Sequence, residues 1–153
     1  MSYRPVLIGF MSVAVTIFGF TVARPSAQTA AGKMAMKAPM SDDEYSKTMK
    51  QIAPTFQSLQ KNNTAMNYGD AAKDAQKLEA WFKDVLAYWE AKKVDDAVGF
   101  AKAAIAAAQD TSKALEAMNA TGLTDAQKAL GGACQGCHTA HREKLADGSY
   151  KMK

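Results

Sequence analysis

The chain has 153 residues, of which 48% are hydrophobic and only 8% aromatic, and this length suits one domain with a single hydrophobic core. Its formal net charge is +4, but Arg4 and Arg24 lie near the N-terminus, and without them 17 Lys and Arg remain against 15 Asp and Glu. So small a net positive charge gives no electrostatic support for nucleic-acid binding.

The N-terminal residues have the composition of a secretory signal peptide. A positive residue, Arg4, precedes an apolar run over residues 6–20, and small residues follow around Ala23 and Ala27. We expect residues 1–27 to be a signal peptide, with cleavage after Ala23, Ala27 or Ala31. An uncleaved membrane anchor is the alternative, because residues 6–23 are about the minimum length that spans a bilayer. Either interpretation places the domain outside the cytoplasmic membrane, and we expect the periplasm.

Residues 28–40 show no amphipathic period and are expected to form a flexible segment before the domain. Met34, Met36 and Met40 could indicate a thioether site for copper. A linker is the better interpretation, because no His or Cys accompanies these methionines.

The first predicted helix begins at Ser41, since Ser41 and Glu44 have the spacing of a capping box. Pro54 removes a backbone hydrogen bond, so we expect the helix to bend or loosen just after Met49. An apolar stripe at spacings of three and four follows the capping box and consists of Tyr45, Met49, Ile52, Phe56 and Leu59.

Two further helices are predicted from similar stripes. The second is expected to start at an Asp70 cap and to end near Lys92 and Lys93, and the third to start at Asp95 or Asp96. The inward positions of the third helix are expected to be Val98, Ala101, Ile105, Ala108, Leu115 and Met118.

A second capping box, formed by Thr124 and Gln127, predicts the start of a fourth helix that ends near Ala146 with Gly148 as its stop. Gly131 and Gly132 lower helix propensity, and we expect them to leave room for a cofactor face. Four helices joined by short links predict an all-α domain over residues 41–148, an up-down-up-down antiparallel four-helix bundle, with residues 149–153 as a tail.

The motif Cys134, Gln135, Gly136, Cys137, His138 predicts covalent attachment of one haem c. Positions i and i+3 share a helix face, so both thiols can reach the two vinyl groups of one porphyrin, and His138 can bind the iron as proximal ligand. A thioredoxin-like pair would need a βαβ context, and a structural zinc site needs about four ligands. A plain disulfide is also a less favoured interpretation, because we expect both cysteines to lie on one helix, where they hardly need a cross-link.

Met49 is a candidate sixth ligand on geometric grounds. His138 should lie about 14 Å from the end of the fourth helix, and Met49 about 12 Å from the start of the antiparallel first helix, at the same end of the bundle. His/Met coordination would raise the reduction potential. If Met49 is ordinary core, the iron is five-coordinate behind an apolar wall of Met49, Ile52 and Phe56, which would suit a small gas.

Two basic residues follow the motif. His141 could be a rival ligand or a redox-linked proton site, but a surface position or a contact with a haem propionate is favoured. Arg142 could pair with a propionate through its planar guanidinium, and a solvated surface position is equally compatible with the sequence.

The motif from Cys134 to Arg142, close to the C-terminus of a four-helix chain with a leader, resembles that of the class II c-type cytochromes, the cytochrome c′ family. The resemblance implies that Cys134 and Cys137 form the thioethers, that His138 is the proximal ligand and that Arg142 is the family's basic residue after the motif. Low-spin members place a methionine on the first helix, and Met49 matches it. Homodimers through the first two helices are also implied.

We therefore expect a periplasmic monohaem electron carrier with a redox partner protein. Catalysis is not expected, because no pair of nucleophile and base and no carboxylate dyad emerges. The alternatives are a five-coordinate haem protein that binds nitric oxide or a similar gas, and a membrane-tethered haem subunit of a redox complex if the apolar leader is retained.

Overall fold

The structure is a computed structural model that describes residues 39–153. The predicted signal peptide, its cleavage sites and almost all of the segment over residues 28–40, including Met34 and Met36, lie outside the described residues. Met40 is described and packs against the core.

Four helices follow one another and pack as an antiparallel bundle, which confirms the predicted all-α class and architecture. Links of two or three residues reverse the chain between them, and each link contains one residue in the left-handed region, Met66, Lys93 or Met118. The helices are α1 (Asp42–Thr64), α2 (Tyr68–Lys92), α3 (Asp95–Glu116) and α4 (Ala120–His141).

The predicted capping box is present at the start of α1. The Glu44 amide donates to Ser41 Oγ at 3.3 Å, and the Ser41 amide donates to Glu44 Oε2 at 2.7 Å. Two of the four orphan amides of the helix start are thus satisfied reciprocally. Pro54 lies inside α1, which is a single helix on both sides of it.

Of two other predicted helix starts, the structure confirms one and corrects the other. α3 begins at Asp95, as predicted, but α2 begins at Tyr68 and not at an Asp70 cap. Asp70 instead lies in the first turn, where it accepts a hydrogen bond from Asn67 Nδ2 at 2.9 Å. A carboxylate suits both positions, because the N-terminal end of the helix dipole attracts it throughout the first turn.

Met118 is not an inward residue. α3 ends at Glu116, so Met118 falls in the link to α4, and 84% of its surface is exposed. The buried face of α3 consists largely of small residues, Ala97, Ala101, Ala104, Ala107, Ala108, Thr111, Ala114 and Leu115. Small side chains let α3 lie close to both α2 and α4.

The ends of α4 differ from the prediction at both sides. Asn119 caps the helix by accepting from the Gly122 amide at 3.0 Å, so α4 starts before the predicted capping box at Thr124. The helix ends at His141 rather than near Ala146, because Arg142 has extended backbone angles.

A hairpin replaces the predicted end of the helix and the predicted tail. Strand β1 (Arg142–Lys144) pairs antiparallel with β2 (Tyr150–Met152), with Arg142 opposite Met152. Gly148, with φ of 82°, lies in the turn between the strands and does not stop a helix. The backbone hydrogen bond from Lys153 to His141 ties the hairpin to the end of α4.

A buried polar cluster joins α1 to α2. Ser58 Oγ and Asn62 Nδ2, both on α1, donate to the same oxygen of the buried Asp74, at 2.6 Å and 3.0 Å. These bonds satisfy a carboxylate that would otherwise be costly to bury. Within residues 39–153 no helix is both long and apolar enough to cross a membrane.

Candidate functional site

A cavity of about 290 Å³ lies between α1 and α4 and is closed by residues of α2 and α3. We call it the inner cavity. Its lining is predominantly apolar and consists of Met49, Ile52, Ala53, Phe56, Gln57 and Gln60 of α1, Phe82 and Val85 of α2, Ala97, Phe100, Ala101 and Ala104 of α3, and Ala133, Cys134, Cys137 and His138 of α4.

A second cavity of about 640 Å³ adjoins the first at the end of the bundle where the hairpin lies, and we call it the mouth. It shares Met49, Ala53 and His138 with the inner cavity. The rest of its lining is more polar and carries most of its charge as cations: Asp42, Tyr45, Ser46, Lys50, Tyr88, Lys92, Arg142 and residues 149–153. The two cavities together fall in the size range of pockets that hold cofactors.

Both cysteines of the motif line the inner cavity from one face of α4, as their spacing predicts. Both thiols are free and half-buried. Burial raises the pKa of Cys134, and burial together with the nearby Cys134 and Asp96 raises the pKa of Cys137 to about 11. The thiols therefore remain protonated at neutral pH and face an apolar space.

His138 lines both cavities, at the place where they meet. Burial, and secondarily the positive charge of Arg142, lowers the pKa of its imidazole. The neutral ring is thus the dominant form at neutral pH, and this is the form with a lone pair for a metal ion.

Met49 of α1 lines the same two cavities as His138. The structure thus brings together the two residues that helix geometry places at similar heights. Ile52 and Phe56, the other members of the predicted apolar wall, also line the inner cavity. Among residues 39–153 there is no group of three or more His, Cys, Asp or Glu side chains that could hold a metal ion.

The two basic residues after the motif take different positions. Arg142 lines the mouth, and its guanidinium lies 4.1 Å from the ring centre of Tyr150 across the hairpin. His141 belongs to neither lining. Its Nε2 lies 2.9 Å from Asp96 Oδ2 of α3, and its ring lies against the indole of Trp89.

Gly136 is a tightly packed position within the motif that the sequence interpretation missed. A Cβ atom there would lie 2.4 Å from Phe100 Cε1, so the glycine lets the Phe100 ring reach the motif. Gly131, by contrast, would place a Cβ 3.9 Å from Phe56, an ordinary contact, and Gly132 faces open space. The tight glycine is thus inside the motif and not one turn before it.

An aromatic cluster on the α1 and α2 side of the mouth was also missed. Tyr45 stacks on Tyr88 with ring centres 4.2 Å apart, and Trp89 meets both rings edge-on. The Tyr45 hydroxyl and the Trp89 indole nitrogen are buried without a hydrogen-bond partner among the described residues. The apolar stripe of α1 contains Tyr45, but no sequence signal marks its hydroxyl as unpaired.

Comparisons with protein-family models, curated proteins and solved structures returned no match for this chain. Its function must therefore be argued from the site itself.

Proposed function

We propose that the protein is a monohaem c-type cytochrome that carries electrons. The observation that carries the proposal is the composition of the inner cavity, where two thiols, an imidazole and a thioether converge on one apolar space between α1 and α4. Cys134 and Cys137 would hold the haem through thioether bonds, and His138 and Met49 would bind its iron. Bound haem c would supply an iron that cycles between the ferric and ferrous states.

The division of the two cavities fits this cofactor. The inner cavity contains both thiols and is apolar, as the vinyl edge of a porphyrin requires. The mouth carries Lys50, Lys92, Arg142 and Lys151, which suits the two carboxylates at the opposite edge. Met49 and His138 belong to both linings, which is the position that ligands to a central iron need.

Electron transfer is favoured over gas binding by the position of Met49. If Met49, which lines the same two cavities as His138, binds the iron, it would raise the reduction potential and leave no vacant face for a gas. The apolar lining would also affect the reduction potential, because the hydrophobic shell around a metal site sets its dielectric environment.

The remaining expectations from the sequence belong to the same proposal. They are a periplasmic location, a redox partner protein, no catalytic activity of its own and a homodimer through α1 and α2. The antiparallel four-helix bundle with the motif on its last helix is the arrangement that the resemblance to class II c-type cytochromes implies, which supports the proposal. Retention of the apolar leader would make the domain a tethered subunit, and N-terminal sequencing of the mature protein distinguishes the two forms.

The test is the visible absorption spectrum of the mature protein, oxidised and reduced, with and without carbon monoxide or nitric oxide. We expect a covalently attached haem with a low-spin spectrum that does not change with the gas. The Met49→Ala variant should become high-spin and bind the gas. Met118→Ala is the matched control, because it removes an exposed thioether far from the cavity.

Two results would contradict this proposal. A wild-type protein that is already high-spin and takes up the gas would show that Met49 is not a ligand, and would favour the gas-binding alternative behind the wall of Met49, Ile52 and Phe56. Protein matured with its export pathway that shows no haem band at all would exclude both functions.

A further inference from the structure

We propose that the C-terminal hairpin is the docking surface for an acidic redox partner protein, which exchanges one electron with the haem iron through the mouth. This inference rests on the function proposed above and adds to it the place where the partner binds and the partner's charge. The hairpin is an element that neither the motif nor the four-helix pattern of the sequence predicts.

The first observation is the position of the hairpin. Residues 149–153 line the mouth together with His138, the residue proposed to bind the iron. Met152 packs against the core, and the backbone amide of Lys153 donates to the carbonyl oxygen of His141 at 2.9 Å. The hairpin is thus anchored to the bundle, and it begins about one helical turn after His138. A partner bound to it would lie close to the haem.

The second observation is the charge of this surface. Only one acidic side chain, Asp42, lines the mouth, and five cations line it with Asp42. These cations are Lys50, Lys92, Arg142, Lys151 and Lys153. The two carboxylates of a bound haem would leave the cations in excess. On β1 the exposed Lys144 lies opposite Tyr150 and adds a further positive charge. Such an excess attracts a partner of negative charge and speeds the encounter.

Some of these cations are available to a partner. Lys92 and Lys151 are paired with Asp42 and Glu143. Lys153, by contrast, forms no ion pair with a side chain of the residues that the structure describes, and neither does Lys144 on the paired strand. The hairpin itself therefore contributes cations whose charge is not already neutralised by a neighbour.

The third observation is an aromatic side chain of the type that protein interfaces use. Tyr150 is 53% exposed, and the Arg142 guanidinium lies 4.1 Å from its ring centre. The guanidinium holds the ring in place, so little conformational entropy is lost when a partner covers it. Tyrosine and arginine are also enriched among the residues that contribute most of the binding energy in protein interfaces.

A protein suits this surface better than an anionic membrane does. Membrane binding needs an apolar face that enters the lipid in addition to cations. Among residues 39–153, the large hydrophobic side chains that are exposed are Tyr150, Met66, Tyr68 and Met118. The last three lie in or beside the links at the opposite end of the bundle. One ordered aromatic ring among cations therefore favours a protein partner.

The experiment is laser-flash reduction of the haem-loaded mature protein by a plant-type [2Fe–2S] ferredoxin, an acidic protein of low potential, at low and at high salt. One electron passes from the ferredoxin cluster to the ferric haem. The test variant is the double substitution Lys144→Glu, Lys153→Glu. The matched control, Lys61→Glu, Lys128→Glu, makes the same change in net charge at exposed positions nearer the opposite end of the bundle.

We expect the hairpin double variant to react with ferredoxin about tenfold more slowly than wild type at low salt, and the difference should shrink at high salt because salt screens the attraction. The control double variant should lose less than about threefold. Tyr150→Ala should raise the ferredoxin concentration at half-saturation about fivefold. A neutral hydroquinone reductant should reduce all four proteins at the same rate, since it does not need the docking surface.

Three results would overturn this inference. Equal losses in the two double variants would show an effect of net charge alone, and a wild-type rate that does not depend on salt would show that charge does not guide docking. Tight binding of wild type to anionic phospholipid vesicles, with an unchanged ferredoxin rate in the hairpin variant, would assign the surface to a membrane. All three leave the proposed function intact, whereas a protein that attaches no haem contradicts the proposed function itself.

Discussion

Two sides of the bundle are built differently. On one side, α3 packs closely on α2 and on α4 through a face of small buried residues such as Ala107 and Ala108. On the other side, α1 packs on α2 but is separated from α4 by the inner cavity, which α1 lines with larger side chains such as Met49, Ile52 and Phe56. We call these the closed side and the open side. The closed side makes the scaffold, and the open side leaves space for the cofactor.

The largest effect is expected from a cavity made in the scaffold. Leu78 of α2 is fully buried and lines neither cavity, so Leu78→Ala should lower the free energy of unfolding by about 2–5 kcal/mol. Phe56→Ala on the open side should cost less than about 2 kcal/mol, because the ring is half-buried and borders an existing space. Urea unfolding followed by circular dichroism measures both. Equal losses would show that the open side is packed as tightly as the closed side.

An intermediate effect is expected at Gly136, where the two sides meet. Gly136→Ala places a methyl group against the Phe100 ring and should cost about 1–3 kcal/mol. Gly132→Ala on the same helix faces open space, so it should raise stability by about 0.5–1 kcal/mol through better helix propensity.

Thermal unfolding of the two glycine variants provides the measurement, and the double variant Gly136→Ala, Phe100→Leu supplies the control. The smaller leucine should recover much of the loss if contact with Phe100 is the cause. Two glycine variants that are equally stable would contradict the close approach of α3 to the motif.

The smallest effect is expected at the rim of the open side. Lys92 and secondarily Tyr88 hold the pKa of Asp42 below its ordinary value, since the Lys92 ammonium lies 2.8 Å from the carboxylate. A lowered pKa stabilises the fold above the unfolded pKa of about 3.8, and this contribution disappears as the pH falls through the folded value. Asp42→Asn should therefore flatten the acid limb of the stability profile slightly.

Acid titrations of stability for wild type and Asp42→Asn test this effect, with Asp43→Asn, one residue along the same helical turn, as the control. The exposed position of the Asp42 pair keeps the difference small. If stability at acid pH is the same in Asp42→Asn as in wild type, the ion pair of Asp42 with Lys92 contributes nothing to the stability of the fold.

Local signals in the sequence were sufficient for much of the fold. The capping box at Ser41 and the start of α3 at Asp95 could be predicted because caps act within one turn of the chain. The shared position of Met49 and His138 could be predicted from the rise per residue and the antiparallel order of two helices. Both inferences need no knowledge of side-chain packing.

The error at the C-terminal end of α4 and the two missed features arose where contacts between distant residues decided the outcome. Residues 143–146 include good helix formers, so propensity favours a longer α4, but pairing with β2 takes the chain into a hairpin at Arg142. The close approach of Phe100 to Gly136 and the unpaired hydroxyl of Tyr45 depend on side-chain packing between helices, which no spacing within one helix reports.

The left-handed links have a chemical consequence of their own. Met66 and Met118 are 75% and 84% exposed, whereas Met49 is half-buried beside the inner cavity. Peroxide in the surrounding solution therefore reaches the two link thioethers first, and a sulfoxide there disturbs almost no packing. A sulfoxide at Met49 would place a polar oxygen in an apolar space. Of these three described methionines, the two in the links are thus oxidised before Met49, where oxidation would do more damage.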